Sequence, residues 1–240
     1  MAIDAEGHGR SGGTRGQVAN IETDIAGDIT ALLLRTRERY PRRPLFLMGT
    51  SFGGLSAALA ALAVQQSSPS PLLAGVVLQC PLIKPAKTPP PIVQAVARLL
   101  ALVAPHLPLL PHAAGAGTKA GAAAAAVRQR MLADKLCYAG RMRIGTGLAL
   151  QSAAAHLASR LHEMRLPFLL QHGSDDALVA PVGSQQLAAK AASQDKTLLV
   201  YDSAGHNLLS EEPATLHKVR SDYLEWLDQR AEASAASASL

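Results

Sequence analysis

Ser51 lies in Gly49-Thr50-Ser51-Phe52-Gly53, a G-x-S-x-G pattern. A serine hydroxyl attacks at neutral pH only if a base takes its proton, and the base needs a group to orient it. The pattern is the sequence form of a tight turn from a strand into a helix. Small residues at Gly49 and Gly53 are expected to let the backbone close and lift the hydroxyl clear. Such a turn sets Ser51 at a helix N-terminus, which favours developing negative charge, and makes the Phe52 N–H the expected first donor to an oxyanion.

An acid and a base follow downstream. His172-Gly173-Ser174-Asp175-Asp176 comes after an apolar run, so its carboxylates sit just beyond the carboxyl end of a strand, where catalytic groups collect. Thirty residues past Asp176, after one helix and one more strand, stands Ser203-Ala204-Gly205-His206-Asn207. The order Ser, Asp, His is the order of a nucleophile-elbow hydrolase. Asp176 is taken as the acid and His206 as the base. Asp175 and Asp202 remain rivals for the acid, Asp175 also fitting a turn or helix cap. His8, His156, His162, His172 and His217 read as turn, surface or core histidines.

These residues need elements to hold them. Ile21, Ile25, Ile29 and Leu32 recur at helical spacing, so a helix is expected over Val18–Tyr40, ended by Pro41 and Pro44. Met1–Asp4, Leu45–Gly49 and Leu72–Cys80 read as strands, with a small-residue helix over Gly53–Gln66. The strand–helix rhythm breaks at Pro81. Helices are expected at Ile92–Ala104, Ala122–Leu132 and Ile144–Met164, and a flexible Gly/Ala loop at His112–Gly121. The rhythm resumes with strands at Pro167–His172 and Thr197–Asp202 and helices at Pro181–Ser193 and Pro213–Gln229. Alternating strands and helices imply an α/β protein: a mostly parallel sheet flanked by helices, with a helical cap inserted between its halves. Residues 1–80 are read as the first part of the core, 81–165 as the cap or lid, 166–230 as the second part of the core, and 231–240 as a disordered Ala/Ser tail.

Composition narrows the function. At 240 residues and 48% hydrophobic the chain can bury one sizeable core. With 3% aromatic residues it has no platform for stacking bases, and no arginine-rich run points to nucleic acid. The two cysteines, Cys80 and Cys137, form no zinc motif or disulfide framework, so no metal and no other cofactor are expected. No signal peptide follows Met1, and the apolar stretch Ile92–Leu110 is interrupted by Arg98, Pro105 and Pro108, so it does not span a membrane. A cytoplasmic protein, free or peripherally attached, is expected. The formal net charge is +5, yet residues 81–165 alone hold eleven Lys/Arg against two acids. That asymmetry suits either a solvated basic face or contact with an anionic surface.

With these motifs in place the chain resembles monoacylglycerol lipases of the plant and algal type and the neighbouring caffeoylshikimate esterases, serine aminopeptidase-like α/β-hydrolases. The resemblance rests on Gly7-His8-Gly9-Arg10-Ser11, Gly49-Thr50-Ser51-Phe52-Gly53-Gly54, Pro81-Leu82-Ile83, Cys137-Tyr138-Ala139-Gly140, His172-Gly173-Ser174-Asp175-Asp176 and Gly205-His206-Asn207. It implies a serine ester hydrolase with Ser51, Asp176 and His206 as its triad, acting on an acyl-bearing small ester under a helical cap. The basic cap would touch an anionic membrane. Members of the family carry further strands, and a His-Gly loop with a second oxyanion donor, ahead of the strand expected at Met1–Asp4. The chain is therefore expected to be N-terminally truncated. A silent remnant that only binds, and an acyltransferase, are the competing functions.

Overall fold

The computed structural model describes residues 1–67, 72–110 and 122–237. Four strands form one parallel sheet in chain order: β1 (Phe46–Thr50), β2 (Gly75–Gln79), β3 (Phe168–Gly173) and β4 (Lys196–Tyr201). Every strand in β2 and β3 is buried along its length, as expected where both faces of a parallel sheet are covered.

Alternation along the strands decides what each face meets. Val76, Leu78, Phe168 and Leu170 join the main core with helices α1 (Ala26–Arg39), α2 (Phe52–Ser67) and α6 (Val182–Lys190). Val77 and Leu169 point the other way, onto Trp226 of the closing helix α7 (Pro213–Ser237). A Cβ on Gly75 would lie 2.4 Å from the Trp226 ring, so α7 seats directly on the β2 backbone. Helix α2 is buried from Gly54 to Leu62 because alanine lets it lie between the sheet and its neighbours.

Helix α1 follows a π-type turn over Ile21–Ile25, whose start is capped by the Asn20 side chain accepting from the N–H groups of Glu22 and Thr23. Between β2 and β3 come α3 (Pro91–Val103), α4 (Ala122–Ala133) and α5 (Ile144–Ser159). They differ in depth. Helix α5 sinks Ala153, Ala154 and Leu157 into the main core, whereas α3 has no buried residue. The flexible loop expected at 112–121 lies outside the described residues.

Two expectations need correction. Met1–Asp4 is not a strand: β1 is an edge with no further partner among the described residues, and an unpaired segment has no ladder to join. Asp4 instead ties a loop, its carboxylate accepting from Arg10 N–H at 2.9 Å and its carbonyl from the Ser11 hydroxyl at 2.7 Å. Nor does order stop at residue 230, because α7 continues to Ser237. Alanine is the strongest helix former, and it extends a helix already docked on the sheet. None of the helices among the described residues is long and apolar enough to cross a membrane.

Candidate active site

Ser51 sits between β1 and α2 at φ 56°, a left-handed conformation that costs energy in a non-glycine residue. The neighbouring backbone holds it there. Its N–H donates to Gln79 O at 2.9 Å, and its carbonyl accepts from Leu55 N at 3.0 Å and Leu82 N at 3.1 Å. Phe52 opens α2, whose first N–H groups have no intrahelical acceptor.

The glycines around the elbow are not equivalent. A Cβ on Gly49 would come within 2.2 Å of Gly53 O, and one on Gly54 within 2.9 Å of Pro81 Cα. A Cβ on Gly53 would meet nothing within 4 Å. The demand for a small residue expected at Gly53 therefore falls on Gly54. Gly53 contributes its backbone, which is what closes the space at Gly49.

Asp176 follows β3 and His206 follows β4, so both loops emerge at the edge of the sheet where Ser51 sits. The loops are fastened together by Asp175 N–H donating to Ala204 O at 2.9 Å and Ser203 N–H donating to Ser174 Oγ at 2.8 Å. Gly205 N–H donates to Glu211 Oε1 at 2.7 Å, steadying the backbone beside the imidazole. His206 Nδ1 lies 2.7 Å from Asp176 Oδ2, and His206 Nε2 lies 2.8 Å from Ser51 Oγ. With Nδ1 facing a carboxylate, the proton belongs on Nδ1, which leaves Nε2 able to accept from the serine hydroxyl. The Asp176 side chain is fully buried, while that of His206 is 13% exposed, so the series runs from the interior to a point substrate can reach. Asp175 and Asp202, the rival acids, are exposed; Asp175 accepts from the Ser174 hydroxyl at 3.0 Å.

Burial alone would raise the Asp176 pKa, but hydrogen bonds from His172, His206 and the Val179 N–H outweigh it and hold the carboxyl well below the usual range. Oδ1 accepts from Leu178 N and Val179 N, both at 2.9 Å. His172, read from sequence as a turn, surface or core histidine, places Nε2 3.2 Å from Asp176 Oδ2. Its position four residues before the acid was legible. What was not is the direction of its ring, which depends on the parity of β3.

Cys80, His172 and Asp176 bring ligand-type atoms within 4.8 Å of one another. The donor set does not suit a metal ion. Burial pushes the Cys80 thiol pKa far up, and the thiol is already hydrogen-bonded to Asp176. Both His172 ring nitrogens are already engaged, Nδ1 at 2.8 Å from Ser184 Oγ and Nε2 at 3.1 Å from Val179 O.

Known proteins resemble this chain in sequence and in fold. The serine aminopeptidase S33 family model matches residues 1–213. A monoglyceride lipase of Homo sapiens is 32% identical over 242 residues, covering 100% of this chain and 76% of the relative. A caffeoylshikimate esterase of Arabidopsis thaliana is 29% identical, covering 96% and 69%. The structure of a soluble variant of the Saccharomyces cerevisiae monoglyceride lipase, in complex with a substrate analog, superposes with a TM-score of 0.74 at 22% identity, covering 95% of this chain and 76% of that one. A family model spanning most of the chain, full-length similarity to esterases and a shared α/β-hydrolase fold agree: the chain belongs to the serine aminopeptidase S33 family of hydrolases.

Proposed function

We propose that the protein is a serine carboxylic ester hydrolase that cleaves a monoacylglycerol or a similar acyl-bearing ester through an acyl-enzyme. The observation that carries this reading is the series Ser51 Oγ, His206 Nε2, His206 Nδ1, Asp176 Oδ2, with links of 2.8 and 2.7 Å. Ser51 Oγ attacks the ester carbonyl carbon as its proton passes to His206 Nε2. The tetrahedral oxyanion is held by the Phe52 N–H. As the C–O bond to glycerol breaks, the same proton goes to the leaving alkoxide. Water then attacks the acyl-enzyme, gives its proton to Nε2, and the acid departs as Ser51 recovers that proton. Asp176 stays ionised throughout and stabilises the imidazolium in both halves. Neither a metal ion nor an organic cofactor enters this path.

An acyl chain, rather than a sugar or peptide, is favoured by α3. Ile92, Leu99, Leu102 and Val103 are exposed on it, Leu102 by 80% and Val103 by 83%. The helix is fastened below by Gln151 Nε2 donating to Gln94 Oε1 on α3 at 2.8 Å, from α5. In this reading α3–α5 act as the cap, and its exposed apolar side chains, together with the exposed cations Lys84, Lys87 and Arg98, rest on an anionic lipid surface. The test is hydrolysis of a long-chain monoacylglycerol presented in anionic and in zwitterionic vesicles. Turnover lost in Ser51→Ala, and faster on the anionic vesicles at low salt, supports the reading. Turnover indifferent to Ser51→Ala, or none toward any acylglycerol while a caffeoyl ester is cleaved, removes it.

A further inference from the structure

Strand parity turns His172 toward α6. It continues the face of Phe168 and Leu170, and it is fully buried. There, among the described residues, its ring meets Ser184 Oγ on one nitrogen and Asp176 Oδ2 and Val179 O on the other. The two oxygens facing Nε2 are a carboxylate and a carbonyl, and neither can donate, so the proton must be on Nε2. Ser184 then donates to the bare Nδ1. Two imidazoles thus share one carboxylate oxygen, His206 from the solvent side and His172 from the interior. We propose that His172 is a positioning residue for the reaction: with Asp176 Oδ2 and Val179 O setting its proton on Nε2 and Ser184 holding the ring at Nδ1, it holds Asp176 Oδ2 in line with His206 Nδ1 and limits how tightly the carboxylate grips the His206 imidazolium. This rests on the triad reading above.

The balance matters because His206 must release its proton to the leaving alcohol. A carboxylate with one donor fewer binds imidazolium more strongly and less directionally. The other groups around Asp176 do not replace that donor. Leu178 and Val179 N–H serve Oδ1, and the Cys80 thiol, hydrogen-bonded to the carboxylate from just past β2, is only a weak donor. Glu211, on the segment after His206, spends its Oε1 on Gly205 N–H.

The experiment compares the pH profile of kcat/KM for a soluble chromogenic ester in the wild type, His172→Leu, His172→Gln and Ser51→Ala. Removing the N–H in His172→Leu is expected to lower kcat/KM about ten- to a hundredfold and to move the acid limb upward by about one pH unit, the size of one charged hydrogen bond. His172→Gln keeps an N–H at that end and is expected to restore both. A merely structural role predicts a loss proportional to the unfolded fraction, with the limb in place; that outcome overturns the proposal. Should His172→Leu not fold, the nitrogen-15 spectrum of the wild-type imidazoles decides. Nε2 protonated and Nδ1 bare at pH values where the enzyme works supports the assignment, and the opposite tautomer overturns it. Activity that survives Ser51→Ala sinks the triad itself, a result distinguishable from failure of the His172 assignment.

Discussion

At the scale of single residues, the site depends on a serine held where an L-residue is uncomfortable. Ser51 stays at φ 56° because three backbone hydrogen bonds fix it and because Gly49 leaves room for the turn to close. That predicts opposite outcomes at two glycines that look equivalent in the G-x-S-x-G pattern. Gly49→Ala drives a methyl into the Gly53 carbonyl and is expected to cost at least about 1–3 kcal/mol, with most activity lost. Gly53→Ala puts a methyl into open space on a helix and is expected to leave stability unchanged or raised by up to about 1 kcal/mol. Urea midpoints for the two variants check this; a Gly53→Ala midpoint that falls as far as Gly49→Ala would show the turn to be tighter than described. The motif itself gives no hint of this difference, because its spacing reports the need for a tight turn and not which atoms fill it. His172 was hidden for a related reason. A histidine four residues before an acid can face either side of a strand, and only the packing of α6 on β3 reveals which.

At the scale of elements, the sheet is threaded by a line of polar side chains on its α7 face, with Gln79 and Gln171 fully buried at its centre. Thr50 donates to Gln79 Oε1 at 3.1 Å, and Gln79 Nε2 donates to Gln171 Oε1 at 2.8 Å. Gln171 Nε2 donates to Tyr201 Oη and to Val219 O, and Tyr201 Oη donates to Asp222 at 2.8 Å. Burial first, and then the bond to Asp222, pushes the Tyr201 phenol pKa far up, so it stays a donor. One link from each strand, ending on α7, fixes the register that puts the loops after β3 and β4 side by side. Gln171→Leu strands Gln79 Nε2 in a dry interior and is expected to cost about 1–3 kcal/mol, read as a lowered urea midpoint. A neutral effect would mean that water reaches this group. Most elements were legible from sequence within a few residues, because the continuous apolar runs of β2 and β3 and the 3.6-residue period of α1 are direct consequences of burial. The Gln79–Gln171 line was not, since a polar residue at the end of an apolar run reads equally well as the strand's exposed end.

At the scale of the whole molecule, segments distant in sequence are brought together twice. The first loop of the chain is tied to the insertion: Arg15 donates to Leu136 O at 2.8 Å, Arg143 donates to Arg15 O at 2.8 Å, and Val18 N–H donates to Thr146 Oγ1 at 2.9 Å. The insertion is thus held from both sides, α5 by the core and residues 136–146 by the first loop, while α3 keeps its apolar side chains outward. The second convergence is the site itself, with Ser51 and His206 separated by 155 residues. Its convergence at one sheet edge follows from parallel strands in chain order, each loop leaving at the same end, and that much the strand–helix rhythm already implied. What the rhythm could not say is which of Asp175, Asp176 and Asp202 faces the imidazole, since adjacent carboxylates differ only in direction.

The most direct measurement is the mass of the intact protein, and of its peptides, after reaction with a fluorophosphonate. A single adduct on Ser51, absent from Ser51→Ala and formed far more slowly in His206→Gln and Asp176→Asn, is the result this account predicts. An adduct on another residue, or labelling of Ser51 at an unchanged rate once His206 is replaced, would contradict it.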